Sequence, residues 1–382
     1  MSLRKGSARE AHAYTPGLKV KRSVKIQKVR RLPIPGKVLV EEGDEVDFST
    51  IVAETMMPGD PHIVNVAASL GILAGDINDY MKKQVGDAVS KGEAIAGYKA
   101  FFGLWKKFVH SPVDGFIESI SPVSGQVIIR EKPVPLSVNA YIPGKVVKIL
   151  ENEGAVIETN AAFIQGIFGI GGEAHGELKV ALDDPRDKLT EDLIGRGDKG
   201  KVIVGGSIVT KEAIEKAIQV GVSGIVTGGI SDVDLEAILG YELGVAITGQ
   251  EEVGITLIIT EGFGEMAMNP RTLEIFKEFE GRMTSIDGAT QIRAGVIRPE
   301  VIIPHEEGMV EERGEELSSG MRPGTPVRII RQPYFGCLGK VVSLPVELQV
   351  IETESKVRVV EVELEDGRRA IVPRANVEII EI

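Results

Sequence analysis

Residues 34–54, IPGKVLVEEGDEVDFSTIVAE, decide how the first half of this chain is read. Their first five letters, IPGKV, recur at residues 142–146, in IPGKVVKILENEGAVIETNAAFIQG. Between the copies lies a third variant, QVGDAVSKGEAIAGY, at residues 84–98. Each variant joins a glycine-containing turn to short apolar runs, such as residues 46–52 and 89–95. Gly-Asp in EEGD and QVGD suits a tight reversal, because glycine accepts positive φ and aspartate bonds its own backbone. Short strands punctuated about every eight to twelve residues predict a small barrel or sandwich. The repeat therefore predicts a duplicated β unit over residues 32–182. The inserted stretch VNVAASLGILAGDINDYMKK, with apolar residues at helical spacing and glycine breaks, predicts one or two short helices.

The chain has 382 residues, 43% hydrophobic and 26% charged, with 45 glycines and only 5% aromatics. That length suits several cores, and that composition suits many tight turns rather than helical bundles. One cysteine, Cys337, excludes an internal disulfide and a cysteine-based metal cluster. It also fits a reducing, cytoplasmic setting. No uncharged apolar run reaches the roughly 18 residues of a membrane span, and the N-terminus lacks an apolar signal core. His12, His62, His110, His175 and His305 are scattered. No Ser/His/Asp set, cysteine nucleophile or metal cluster stands out, so neither a metal nor a cofactor is expected.

Charge is unevenly placed. Residues 1–31 hold ten Lys/Arg and one acid, Glu10, a net of +9. The total of −12 leaves −21 on the remainder, 34 bases against 55 acids. A basic N-terminal arm (1–31) on an acidic body suits two fates: gripping a polyanion, or folding back onto its own body.

VGDAVSKGEAIA followed by SPVDGFIESI resembles the hammerhead of biotinyl and lipoyl domains. The resemblance covers about residues 32–180 and implies a barrel-sandwich hybrid, similar also to the carrier-like barrel in the C subunit of Rnf-type electron-transport complexes. Biotin carriers present a Lys between two Met on an exposed hairpin. Here that stretch is AFFGLWKKFVH, with Leu104 at the attachment position, and Lys106 and Lys107 lack flanking Met. The resemblance thus implies the fold without the modification. Phe101, Phe102, Trp105 and Phe108 gather here, as a docking patch or as core. Downstream, QGIFGIGGEAHGEL carries five glycines (Gly166, Gly169, Gly171, Gly172 and Gly176) but no Gly-Lys-Ser/Thr ending, and reads as a strand-to-strand turn.

DDPRDKLTEDLIGRGDKG (183–200) reads as a polar linker. Beyond it the period changes. Thr210, Ser231 and Asn269-Pro270 each open a helical pattern that Gly221, Gly240 and Gly281 close. The patterns separate apolar strands at KVIVGG, SGIVTGG, ITLIITEGFG, RMTSIDG and EVIIP. Alternation of this length predicts a parallel α/β domain with helical crossovers over residues 198–305. Glycines follow the strands: Gly205-Gly206, Gly228-Gly229, Gly262, Gly264 and Gly288. In open α/β sheets ligands bind outside the strand C-termini, where glycine admits close approach and helix N-termini favour anions. With Ser207, Ser231, Asp287 and Arg293, and with Thr227, Glu261 and Thr290 nearby, these glycines are the candidate site for an anionic small molecule. The alternative is that strand-to-helix loops simply favour glycine.

After an acidic linker, EEGMVEERGEELSSG, comes GTPVRIIRQPYFGCLGKVVSLP, and then two runs joined by Asp366-Gly367, a hairpin signal. Gly324, Val327, Ile329, Tyr334, Phe335, Gly336, Gly339 and Val341 resemble a KOW motif of NusG-type transcription factors and some ribosomal proteins. Gln332-Pro333 replaces the usual glycine before the aromatic. The resemblance covers residues 320–382 and implies a small SH3-like barrel that binds RNA or protein. Arg328, Arg331, Lys340, Arg368 and Arg369, with Tyr334 and Phe335, are its candidate contacts. The acids interspersed among them suit a protein partner or intrachain packing equally.

The fold expected is multidomain, α/β plus all-β: duplicated barrel-sandwich hybrid, parallel α/β domain and C-terminal KOW/SH3-like barrel. The leading function is a cytoplasmic, non-catalytic binding or scaffold protein with an unknown protein partner. An enzyme or enzyme subunit holding an anionic small molecule comes second. A nucleic-acid-associated factor binding RNA through the KOW-like domain comes third.

Overall fold

The computed structural model describes residues 18–100, 105–240, 253–290, 297–305, 321–329, 334, 337–345, 348–350, 356–364 and 367–379. Strand far outweighs helix, in several sheets. The first half runs β1 (Val20–Arg31), β2 (Lys37–Val38), β3 (Glu45–Val46), β4 (Ile51–Met57) and β5 (Pro61–Asn65), then helices α1 (Val66–Leu70) and α2 (Ile77–Tyr80). It continues with β6 (Ala88–Val89), β7 (Ala94–Ala100), β8 (Trp105–His110), β9 (Gly115–Ser121), β10 (Gln126–Glu131), β11 (Val134–Asn139), β12 (Gly144–Leu150) and β13 (Gly154–Gln165).

The repeated IPGKV has a physical reason. β2 lies on β4 with Lys37 opposite Glu54, and β12 lies on β13 with Lys145 opposite Glu158. In both, a Cβ on the motif's glycine, Gly36 or Gly144, would collide with the carbonyl oxygen of that glutamate. The motif therefore supplies a close strand crossing and an opposite-charge cross-strand pair. The Gly-Asp turns match as closely. Gly43 N–H donates to Val146 O while Val146 N–H donates to Asp44 O; Gly86 and Asp87 make the same two bonds with Ile117. The Asp44 and Asp87 carboxylates each accept from the backbone three residues back, at 2.8 and 2.7 Å. Each half closes its own core, Val46, Val52, Ile142, Val146 and Ile157 in one, Val89, Ile95, Ile117, Val127 and Ile129 in the other. The predicted helical insert is present. Asn65 caps α1, Gly71 ends it in the left-handed region, and Val66, Leu70 and Ile77 join the second core.

Residues 20–31 of the basic arm take the fold-back course, pairing antiparallel with β13 from Val20↔Ile164 to Arg31↔Gly154. Its cations meet acids of the body: Arg22 with Glu278, Lys25 with Glu158, Lys28 with Glu300, Arg30 with Glu173 and Arg31 with Glu153. Residues 1–17 lie outside the described residues.

The second half runs β14 (Phe168–Ile170), β15 (Glu173–Val180), β16 (Lys188–Leu189), β17 (Lys201–Val204), β18 (Ile208–Val209), α3 (Lys211–Val220), β19 (Gly224–Ile230), α4 (Asp232–Leu239), β20 (Thr256–Phe263), α5 (Pro270–Glu278), β21 (Met283–Asp287) and β22 (Glu300–Pro304). Strands β15, β17, β19 and β20 are parallel neighbours. The parallel part therefore begins upstream of residue 198, inside the stretch expected to belong to the first β unit. Strands β21 and β22 depart from the expected direction: β21 runs antiparallel to β15, and β22 antiparallel to both β21 and β13. Through β22 and β13 the two halves fuse into one 13-stranded sheet. The glycine-rich run turns β14 into β15 at Gly171 and Gly172, both at positive φ. Residues 183–200 are more than a linker, since Leu189 and Ile194 are buried and the Asp198 carboxylate accepts from Lys179 and from Gly195 N–H.

The helix caps act as their residue types dictate. Thr210, Ser231 and Asn269 accept from Ala213, Asp234 and Arg271 N–H, and Gly221 and Gly240 close α3 and α4 at positive φ. Alternate strand residues feed opposite faces. Ile203, Ile225 and Leu257 pack with α3 and α4, whereas Val202, Val226 and Ile258 pack with Phe276 of α5 and with Phe279. The chain ends in β23 (Pro326–Ile329), β24 (Leu338–Ser343), β25 (Gln349–Val350), β26 (Lys356–Val357), β27 (Val359–Leu364), β28 (Arg369–Pro373) and β29 (Val377–Ile379). Five of these strands form one sheet, ordered β28-β27-β24-β23-β29. Among the described residues no helix is long and apolar enough to cross a membrane.

Two tests follow from this packing. Gly36→Ala and Gly144→Ala should each destabilise the chain by about 1–3 kcal/mol, read by chemical denaturation, because strand backbone must shift to admit a methyl group. The second concerns β1. The Arg22 hydrogen bond holds Glu278 below its ordinary 4.5. A depressed carboxylate stabilises the fold above its unfolded value and ceases to as pH falls through its folded value. The loss in denaturation midpoint caused by Arg22→Ala should thus be constant above pH 4.5 and fade on further acidification.

Candidate functional site

The glycines expected to open the sheet's C-terminal edge instead bring backbone onto backbone. Gly205 N–H donates to Val226 O, Gly228 N–H to Gly206 O, Ser207 N–H to Asp187 O and Gly264 N–H to Ile230 O, all at 2.8 Å. A Cβ on Gly206 would strike Asp187 O, on Gly228 Met266 O, and on Gly229 Gly264 O. Ser207 donates its hydroxyl to Arg186 O, and Ser231 is committed to its cap. Asp287 and Gly288 lie at the opposite edge, because antiparallel β21 places Asp287 against Glu173, the first residue of β15. A Cβ on Gly288 would strike Ile170 O. Arg293 lies outside the described residues.

The last sheet meets the end of β20. Glu261 of β20 is buried, and its Oε1 accepts Asn269 N–H at 3.0 Å. Its Oε2 accepts from Arg328 of β23, which also donates to Thr260 O at 3.1 Å. Arg328 is only 3% exposed, so it is an internal clamp and no surface contact for RNA. A second charge pair crosses nearby. Arg298 Nη2 stands 3.1 Å from Glu378 Oε1 without the alignment of a hydrogen bond. Desolvation prevails there and pushes Glu378 above the usual carboxylate range, against the pull of Arg298 and Arg328.

Beside this clamp lies a groove of about 780 Å³. Asn269, the cap of α5, forms one wall. Pro323, Pro326, Leu338, Val342 and Leu364 give the other an apolar lining, with Lys340 and Glu363 among them. Lys340 faces Glu363 directly across β24 and β27. Arg369 pairs with Glu361 at 3.2 Å and approaches Glu363 at 3.7 Å. Tyr334 packs against the core of this sheet and Arg368 is exposed, while Arg331 and Phe335 lie outside the described residues. The groove thus gathers Lys340 with residues that sequence reasoning did not connect. Glu261 and Arg328 are 67 positions apart, and no local pattern links them.

The opposite edge gathers a second polar group. Glu173, Asp287 and Glu300 sit in adjacent registers on β15, β21 and β22. Lys28 and Arg30 of β1 neutralise two of them. Burial, and beyond it the charges of Glu173 and Glu300, raise Asp287 despite its bond from Ala289 N–H. Tyr141 lies among them at φ 69°, a costly backbone for a bulky residue. Ser285 donates to its carbonyl, Glu300 accepts from its hydroxyl at 3.3 Å, and Arg30 lies 5.3 Å from its ring centroid. Burial, with Glu300 adding to it, pushes the phenol well above its ordinary range. Among the described residues no group of three or more His, Cys, Asp or Glu is placed to hold a metal ion.

The hairpin expected to carry an attachment lysine in a biotinyl domain is β7–β8. Its connection, with Phe101, Phe102 and Leu104, lies outside the described residues, and Phe108 is half-buried. No family model and no curated protein matches this chain.

Arg328→Met should cost about 3–5 kcal/mol, because it leaves the Glu261 carboxyl buried with one backbone donor and no cationic partner. Adding Glu261→Gln should recover most of that loss. Chemical denaturation measures both, and proteolysis at residues 321–345 should quicken in the single variant only.

Proposed function

We propose that this chain works by binding, as a non-catalytic binding or scaffold protein whose C-terminal groove receives an extended segment of a partner protein. The observation that carries the reading is the groove itself, whose two walls are locked together by the buried Arg328–Glu261 pair. Its lining favours a peptide. Prolines and aliphatic side chains offer apolar contact, and the Lys340–Glu363 pair offers one site for an acceptor and one for a donor. A polyanion fits less well, since Lys340 and Arg369 already face carboxylates and Arg328 is buried. The KOW-like residues of 320–382 agree with a module that recognises protein. The glycine-rich edge is the weaker alternative, because backbone of the chain occupies the space a ligand would need.

A display library of unstructured peptides, panned on the full chain, should enrich a shared apolar sequence with a charged residue. Val342→Asp should abolish binding of the enriched peptides while leaving the denaturation midpoint of the chain nearly unchanged. Enrichment that ignores Val342→Asp, or a small anion retained stoichiometrically in native mass spectrometry of the purified protein, would refute the groove as a peptide site.

A further inference from the structure

The hairpin β7–β8 carries charge that the other described residues leave unanswered. Residues 98–110 contain three lysines and no acid, in a protein of net charge −12. The register puts Lys99 directly opposite Lys106. Like charges facing across a ribbon destabilise it, so this pairing works against the hairpin's own stability. On the hairpin's inner face Tyr98, Ala96 and Val109 pack into the core below. The outer face carries Lys99, Lys106, Phe108 and His110, by alternation along the strands. Lys82, from the segment after α2, places its ammonium 3.8 Å from the Phe108 ring centroid and so joins the same face. Lys82, Lys99 and Lys106 have no acidic partner among the described residues, whereas neighbouring Lys83 pairs with Glu93.

We propose that this outer face binds the phosphate backbone of a nucleic acid, at a site separate from the C-terminal groove and independent of its reading. The alternative occupant, an acidic protein, would need an apolar centre to bury, and among the described residues the face has none. The large apolar group on it among the described residues, Phe108, lies across Gly97, where a Cβ would meet the ring, and Lys82 caps it from above. Phosphate contacts need only cations presented without competing carboxylates. A two-stranded ribbon is also narrow enough to follow a groove of a duplex. The binding is electrostatic and indifferent to sequence. The ligand resolves the Lys99–Lys106 repulsion that the free hairpin carries.

The test uses the full chain and a fluorescein-labelled DNA duplex of about two helical turns, followed by fluorescence anisotropy over a range of salt. Three phosphate contacts predict a slope of about −3 in log affinity against log salt. Lys99→Glu and Lys106→Glu should each weaken binding about tenfold or more at low salt. Either reversal turns a like-charge pair into an ion pair, so the thermal midpoint should hold or rise, and lost binding cannot be laid to unfolding. Lys216→Glu, an equal charge change on the exposed side of α3, should leave binding as it was. The proposal is overturned if the duplex does not bind at low salt, if the hairpin variants bind as well as the parent, or if Lys216→Glu weakens binding equally. Tighter binding of labelled polyglutamate than of the duplex also overturns it, and would make the face a receptor for acidic protein.

Discussion

Strand β13 is hydrogen-bonded along both edges, and the two halves of the chain are joined through that fact. On one edge β1 runs the length of it, from Gly154 to Ile164. On the other, β12 takes residues 154–158 and β22 takes residues 161–165. Few backbone groups of this strand could be left bare, because Ala155, Ile157, Ala161, Ala162 and Ile164 are wholly buried. The duplicated β unit and the parallel strands therefore cannot be described as beads on a string. Each finishes a ladder that the other begins.

Charge does the remaining joining. The body is acidic, and its acids are placed where the chain's own cations arrive: Glu278, Glu158, Glu300 and Glu173 under β1, Glu261 under Arg328. Exposed pairs of this kind contribute little one by one. The buried ones act differently. Arg328 and Glu261 gain little over an apolar pair, yet each makes the other's absence expensive, so the pair fixes where the last sheet sits. A groove needs that fixity, because Asn269 lines it from one side and the last sheet from the other.

Local chemistry was legible in the sequence. The caps Thr210, Ser231 and Asn269 make the bonds their residue types promise, and the Gly-Asp turns recur with the same pair of backbone bonds, to Val146 in one and to Ile117 in the other. Strand direction was not legible. The stretch between Phe263 and Met283 contains a helix, as a parallel crossover would, yet β21 lands antiparallel beside β15. Apolar alternation encodes a face and carries no information about which way the strand points. That reversal is why Asp287 and Gly288 part company with Gly228 and Gly262. The glycines were found for the right steric reason and the wrong neighbour: close approach was required, but of the chain to itself. Arg328 read as a surface cation because nothing near it in sequence announces Glu261. The Lys99–Lys106 pair was equally invisible until the register of the hairpin was known.

The pairing of β1 with β13 also has a history in time. The two strands are separated by more than 120 residues of chain. At ribosomal speeds of about 5–20 residues per second, β1 emerges on the order of ten seconds before its partner exists. During that interval it is an unpaired strand with valines and isoleucine at Val20, Val24, Ile26 and Val29, the kind of segment that joins neighbouring chains. Six lysines and arginines among its twelve residues keep it apart by repulsion while it waits. The cations that later clasp the acidic body thus serve first as the nascent chain's protection against its own copies on the same message.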